Sequence, residues 1–285
     1  MLNSLAKLIF CGLCFASLLA CSASKGSEKN PPARAAQLAR KPYIAYLHEG
    51  NLWVVDSDGS NPRQLTHFDY AGNPRWSTDG KQIVFESIVG NQSEIFVVDP
   101  EKGVPRRMTY DPSWDMIPSW SRDGKWIYFS SNRTGEYQIW KMPAQGGQAT
   151  QVTRGGGTGA FESLDGKYVY FSKWGWATYT PGDGIWKVPV GGGEETKVLD
   201  RKVNCLNWKV AKEGIYFLTY GPNGAREDWS IELLSPETGK VTRILSQTSS
   251  ASHEEGLAIS PDGQWILFSE YPPLEQHILL VENFR

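Results

Sequence analysis

The chain has 285 residues, with 29 basic and 31 acidic side chains and a formal net charge of −2. That length suits one large domain or two ordinary ones, and the lack of a basic surplus excludes the usual electrostatics of a nucleic-acid binder. Twelve Trp and 29 Gly favour many short strands joined by tight turns over a helix-rich enzyme.

The first element is a leader. Met1 to Lys7 carry one positive charge, and Leu8 to Leu19 are almost entirely apolar, a run too short for a comfortable membrane span. Leu18-Leu19-Ala20-Cys21 follows, and then the polar Ser22. This tetrapeptide resembles the lipobox of bacterial lipoproteins, which implies cleavage before Cys21 and acylation of that cysteine. By the same resemblance, Ser22 next to the cysteine implies sorting to the Gram-negative outer membrane, with the body of the protein in the periplasm. Several acyl chains on one residue anchor durably, where a single chain holds only marginally. Cys11 and Cys14 form a C-x-x-C inside the apolar run and are expected to leave with residues 1–20. Cys205 is then the lone thiol, expected as a small core residue.

Residues 21–40 are rich in small polar residues and proline and are read as a flexible tether. From residue 41 to 285 the chain is one repeat array. One strand type recurs six times: Ile44-Ala45-Tyr46, Ile83-Val84-Phe85, Ile127-Tyr128-Phe129, Val169-Tyr170-Phe171, Ile215-Tyr216-Phe217 and Ile266-Leu267-Phe268. A second type follows each copy, as in Ile95-Phe96-Val97 and Ile139-Trp140-Lys141. A third is seen in Arg63-Gln64-Leu65-Thr66, Arg107-Met108-Thr109 and Gln151-Val152-Thr153. A fourth ends in a turn, as in Pro118-Ser119-Trp120-Ser121-Arg122-Asp123-Gly124. Asp-Gly between two strands signals a hairpin, because glycine accepts the positive φ that such turns need. Four strands at every ~40–45 residues is the signature of a β-propeller, whose blades must stack because a lone blade cannot bury its faces. Six copies predict an all-β, six-bladed propeller of four-stranded antiparallel blades.

The run W-S-x-D-G-K, an apolar strand ending in Phe, and then E-I-F-V-V-D or Q-I-W-K-M-P resembles the TolB-type propeller repeat. The resemblance covers nearly all of residues 42–285 and weakens in the fourth and fifth copies, at Glu162 and at Lys209-Val210. It implies a stand-alone relative of TolB without that family's additional α/β domain. Closure of the ring is expected to use residues near 30–41, or else to leave one blade incomplete.

With strands a to d counted outward from the axis, the Asp-Gly turns join a to b, and the d–a and b–c connections lie on the opposite rim. Binding is expected there, since rigid scaffolds carry function on their irregular loops. The candidates are Trp174, Trp176 and Tyr179 in the fourth blade, Tyr220 and Trp229 in the fifth, and Asp69, Tyr70, Trp114, Asp115, His253 and Glu254 near the channel mouth. Exposed Trp and Tyr offer large apolar area at low entropy cost. His48, His67 and His277 have no ligand spacing. No nucleophile elbow, zinc-protease motif, P-loop or dinucleotide fingerprint occurs. The expected function is a periplasm-facing binding or scaffold module, monomeric, for a protein, peptide or cell-wall component. No cofactor, metal or nucleic acid is expected beyond the lipid on Cys21. The alternative is an enzyme at the channel mouth, a metal-assisted lyase or hydrolase acting on a sugar or lactone.

Overall fold

The computed structural model describes residues 7–9, 43–56, 59–173, 182–203, 205–220, 228–248, 257–259, 265–270 and 277–282. Strand β1 is Lys7–Ile9. A first sheet holds β2 (Tyr43–His48), β3 (Asn51–Asp56) and β4 (Arg63–Gln64). The second holds β5 (Ala71–Trp76), β6 (Ile83–Val89), β7 (Gln92–Val98) and β8 (Arg106–Arg107). The third holds β9 (Asp115–Trp120), β10 (Trp126–Thr134), β11 (Glu136–Pro143) and β12 (Thr150–Gln151). The fourth runs from β13 (Thr158–Glu162) through β14 (Tyr168–Ser172) and β15 (Gly182–Pro189) to β16 (Thr196–Val203). The fifth holds β17 (Trp208–Ala211), β18 (Gly214–Tyr220), β19 (Asp228–Leu234) and β20 (Val241–Thr248). The last is β21 (Ala258–Ile259), β22 (Trp265–Glu270) and β23 (His277–Glu282), with β1 on its outer edge.

Every neighbouring pair is antiparallel and, apart from β1, follows chain order, as in a propeller. The expected count of six four-stranded blades is corrected: among the described residues five sheets have four strands, one of them with β1 at its edge, and the sheet of β2–β4 has three. The sequence count followed the paired b and c strands, which recur in every copy. A complete blade also needs its a and d strands, and the first copy has no innermost strand among the described residues. Residues 30–41, expected to close the ring, lie outside the described residues. In the full chain Lys7–Ile9 pairs with β23 instead, Leu8 opposite Leu279.

The core is distributed between sheets rather than gathered in one place. Leu52, Val54 and Leu65 of the first sheet pack on Ile83, Phe85 and Phe96 of the second. Val84, Ile95 and Val97 of the second pack on Trp120, Ile127 and Phe129 of the third. The same pattern joins third to fourth, fourth to fifth and fifth to last. Phe85, Phe129, Phe171 and Phe217, the residues that end the b-strand motif, are all wholly buried. Each of the second to fifth sheets therefore hides one face on each neighbour, and burial of this apolar area is what holds the stack together.

Two local codes repeat with the strands. At the a–b turn, Ser77, Ser121 and Ser163 donate to Asp79, Asp123 and Asp165 at 2.6, 2.7 and 2.7 Å. The same serine oxygens accept from the backbone N–H of Gln82, Trp126 and Tyr168 at 3.0, 2.9 and 2.9 Å. Gly80, Gly124 and Gly166 supply the positive φ that the turn requires. At the outer edge, Thr66, Thr109 and Thr153 accept from the N–H of Leu52, Ile95 and Ile139, each at 2.9 Å. Their hydroxyls pass the hydrogen bond on to Asn51, Glu94 and Gln138. This clasp ties each two-residue d strand to its c strand.

Candidate functional site

The innermost strands carry a third repeated feature, a bulge. Asn73, Ile117 and Gly159 stand seven positions before the turn glycines Gly80, Gly124 and Gly166, and their φ angles are 49°, 51° and 60°. The strand register shifts at each of these sites. An unpaired bulge residue bends the strand and re-aims its neighbours, and a β-branched residue such as Ile117 adopts positive φ only at a cost. The freed N–H groups reach back to the preceding blade. Ile117 donates to a Glu86 carboxylate oxygen, and Gly159 donates to the Ser130 hydroxyl at 3.1 Å. Glu86, 5% exposed, also accepts from Tyr70 at 3.2 Å and Asn73 at 3.0 Å. Burial pushes its carboxyl above the ordinary range despite these donors.

Two residues beyond each bulge comes a layer that faces the axis. Arg75, Ser119, Phe161, Lys209 and Ala258 stand five positions before Gly80, Gly124, Gly166, Gly214 and Gly263 in the sequence. Arg75 and Lys209 belong to different, non-adjacent blades, yet both meet one ring: the Arg75 Cζ lies 5.9 Å and the Lys209 Nζ 4.6 Å from the Phe161 centroid. Trp208 meets the same ring edge-on at 4.8 Å. Lys209 is buried, and its ammonium donates to the carbonyls of Leu206 at 3.3 Å and Trp208 at 3.0 Å. Desolvation first, and the Arg75 charge second, hold its pKa well below the usual lysine range. Burial likewise lowers Arg75 to about 10.

The two ends of this channel differ. Toward the d–a rim, Met116, Ile117 and Cys205 pack together, with Tyr137 and Leu206 against them. Cys205 is fully buried, and its thiol is pushed up to about 12, mainly by desolvation. It is a packed core residue, as its sequence context suggested. Toward the a–b rim, Arg122 donates to the Val210 carbonyl of the fifth sheet at 3.4 Å, and its own backbone N–H is held by Glu162 at 2.5 Å.

The residues singled out in the sequence do not share one environment. Asp69, Tyr70 and Trp114 are exposed on the d–a rim, joined there by the exposed Tyr110. Asp115 and Trp229, expected beside them, are buried. Asp115 opens β9 and makes a two-pronged ion pair with Arg133 at 2.9 and 3.1 Å, over which burial still raises its pKa. Trp229 is the second residue of β19 and shares a buried cluster with Leu257 and with Ile266 of the last sheet, because the strand begins at Asp228, inside the stretch that reads as a loop. Tyr220 ends β18 opposite Trp229. Cys21, Trp174, Trp176, Tyr179, His253 and Glu254 lie outside the described residues. Among the described residues no group of three or more His, Cys, Asp or Glu stands where it could hold a metal ion. The layer of Arg75, Ser119 and Lys209 was missed, although its signal, a fixed offset from the turn glycine, is in the sequence.

Comparison with known proteins bears on the fold. An uncharacterized protein of Agrobacterium fabrum is 33% identical over 102 residues, which is 36% of this chain and 35% of that protein. The crystal structure of TolB from Acinetobacter baumannii matches 81% of this chain and 59% of its own length at 20% identity, with a TM-score of 0.66. The tricorn protease structure matches 80% of this chain and 23% of its own, at 19% identity and a TM-score of 0.63. The chain thus spans about a third of the curated relative and under two thirds of the TolB structure. The family model of the tricorn protease N-terminal β-propeller domain matches residues 37–244, and the chain belongs to that family.

Proposed function

We propose that the protein is a membrane-anchored β-propeller lipoprotein of the Gram-negative envelope, acting as a binding or scaffold module for a protein, peptide or envelope component. The observation that carries this reading is the coupling of a family-assigned propeller to Leu18-Leu19-Ala20-Cys21 and the polar stretch that follows. Exposed Tyr70, Tyr110 and Trp114 on one rim support a docking face there, since aromatics anchor interfaces efficiently. Ser22 supports sorting to the outer membrane, with the propeller monomeric in the periplasm. No catalytic residue, cofactor or metal is assigned. Cleavage before Cys21 removes β1, and the outer edge of β23 then becomes available to residues 30–41.

Metabolic labelling with palmitate and membrane fractionation test the anchor. The full-length protein is expected to incorporate label and sediment with membranes, and Cys21→Ser to lose the label. Cys21→Ser that still carries label would end the lipoprotein reading. For the docking face, Trp114→Ala is expected to weaken capture of an envelope partner by about 2 kcal/mol or more if it is a hot spot, without changing stability.

A further inference from the structure

We propose that the propeller channel binds a small oxyanion, a carboxylate or a phosphate, where Arg75 and Lys209 meet at the Phe161 ring, with Ser119 at the equivalent position of its own strand. This site lies inside the ring and apart from the rim surface, so its failure leaves the proposed docking function standing.

Charge favours an anion here. Arg75 and Lys209 converge on one ring from different blades, and among the described residues no carboxylate hydrogen-bonds to either. Glu86, which influences Arg75 electrostatically, already accepts three hydrogen bonds from Tyr70, Asn73 and Ile117. Glu86 offsets part of the Arg75 charge, but the Lys209 ammonium faces Arg75 with no carboxylate hydrogen-bonded between them among the described residues, and an anion placed there relieves their repulsion.

Unpaired hydrogen-bonding groups point the same way. Arg75 Nε and Ser119 Oγ are buried and have no hydrogen-bond partner among the described residues. Buried polar groups are paired as a rule, and an orphan asks for an explanation. Ser119 is 4% exposed and occupies the same register position in β9 that Arg75 occupies in β5. Lys209 spends two donors on the Leu206 and Trp208 carbonyls and, when protonated, keeps a third. A guanidinium N–H, a hydroxyl and an ammonium N–H are the donor set that a carboxylate or phosphate accepts from.

The d–a side of the layer carries the apolar cluster of Met116, Ile117 and Cys205. Arg75 and Phe161 retain partial exposure, and Arg122 stands on the a–b side, where it reaches the Val210 carbonyl beside Glu162.

Calorimetric titration of the full-length protein with sodium acetate, with sodium phosphate and with tri-alanine tests the site, at ionic strength fixed by sodium chloride. Saturable binding of at least one probe is expected. Lys209→Met and Arg75→Lys should each weaken it by about tenfold or more, the worth of a hydrogen bond to a charged group. Lys125→Ala, an exposed cation on the same rim, should leave it unchanged. Tri-alanine binding that vanishes with its C-terminal amide identifies a chain terminus as the natural source. Acetate or phosphate binding as tight as tri-alanine identifies a free anion. Where Arg75→Lys loses its near-ultraviolet circular dichroism, Ser119→Ala replaces it and should weaken binding. No saturable heat with any of the three probes, equal affinity in Lys209→Met, or equal loss in Lys125→Ala overturns the proposal.

Discussion

The a–b turns and the channel layer lie a few residues apart on the same strands and behave in opposite ways. In the turns, three copies of one short code make the same hydrogen bonds to within about 0.2 Å, from Ser77, Ser121 and Ser163. In the layer, the equivalent position holds a guanidinium, a hydroxyl, a phenyl ring, an ammonium and a methyl group, at Arg75, Ser119, Phe161, Lys209 and Ala258. The turn must satisfy its own backbone with whatever the local residues offer, so one solution recurs. The layer faces the axis, where blades that are not neighbours meet, and nothing in the backbone dictates its chemistry. Repetition in this molecule marks what folding needs. Divergence at a repeated register marks where the ring is free to specialise.

The comparison breaks most visibly at the wedge between blades. Trp120 is 8% exposed, lies in the interface with the second sheet and donates to the Arg75 carbonyl at 3.1 Å. Trp120→Ala should cost about 3–5 kcal/mol in urea unfolding, as for a large aromatic removed from a core. A loss under about 1 kcal/mol would place it at the surface.

Thr109→Val tests the outer clasp and should cost about 1–3 kcal/mol, because it leaves the Ile95 N–H and the buried Glu94 carboxylate each short of a partner. A neutral result would mean that water replaces the hydroxyl at no cost.

Lys209→Met should act in the other direction and stabilise the protein by about 1–3 kcal/mol at neutral pH, since a buried ammonium lacking a counter-ion carries a desolvation penalty. The sign follows from linkage. The folded pKa of Lys209 is lowered, so the folded state binds fewer protons than the unfolded one and stability rises with pH up to the unfolded lysine value near 10.5. Lys209→Met should flatten that rise, and a pH profile unchanged by the substitution would deny that the lysine is buried as an unpaired group. Stability of a layer residue would then be traded against anion binding, which no turn residue does.

The smallest effects belong to the turns. Ser121→Ala and Ser163→Ala should each cost about 1 kcal/mol, and equal costs would confirm that the turns are equivalent. Asp165, lowered to about 2 by its bonds to Ser163 and Lys167, contributes stability that is present above its unfolded value of 3.8 and lost as pH falls toward about 2. Asp165→Asn should remove that part of the acid sensitivity, read from thermal unfolding across the same range.

What the sequence made legible divides along the same line. The Asp-Gly turns, the Phe-ending b strands and the Arg/Gln-x-Thr outer strands were readable because one physical requirement imposes one residue pattern each time. The number of complete blades was not, because the b and c strands of Tyr43–Asp56 look like every other copy whether or not an a strand joins them. Asp115 reads as a solvated carboxylate until Arg133, eighteen residues away, folds back across the hairpin and pairs with it. Trp229 reads as a loop residue until β19 is seen to start at Asp228. The Arg75–Lys209 layer joins residues more than a hundred positions apart, and only the curvature of the blade array brings them to the same phenyl ring.

The threonine clasp carries a consequence for how the protein opens. Strands β4, β8 and β12 are two residues long, too short for a ladder of their own to hold them, and Thr66, Thr109 and Thr153 bolt them to the sheet through the N–H groups of Leu52, Ile95 and Ile139. Hydrogen exchange at those three amides therefore reports the peeling of an outer strand, at a free energy below that of global unfolding. The Phe-ending b strands, packed on both faces, exchange only when a whole blade leaves the ring. The molecule is accordingly layered in time as well as in space, with its periphery breathing often and its axis seldom.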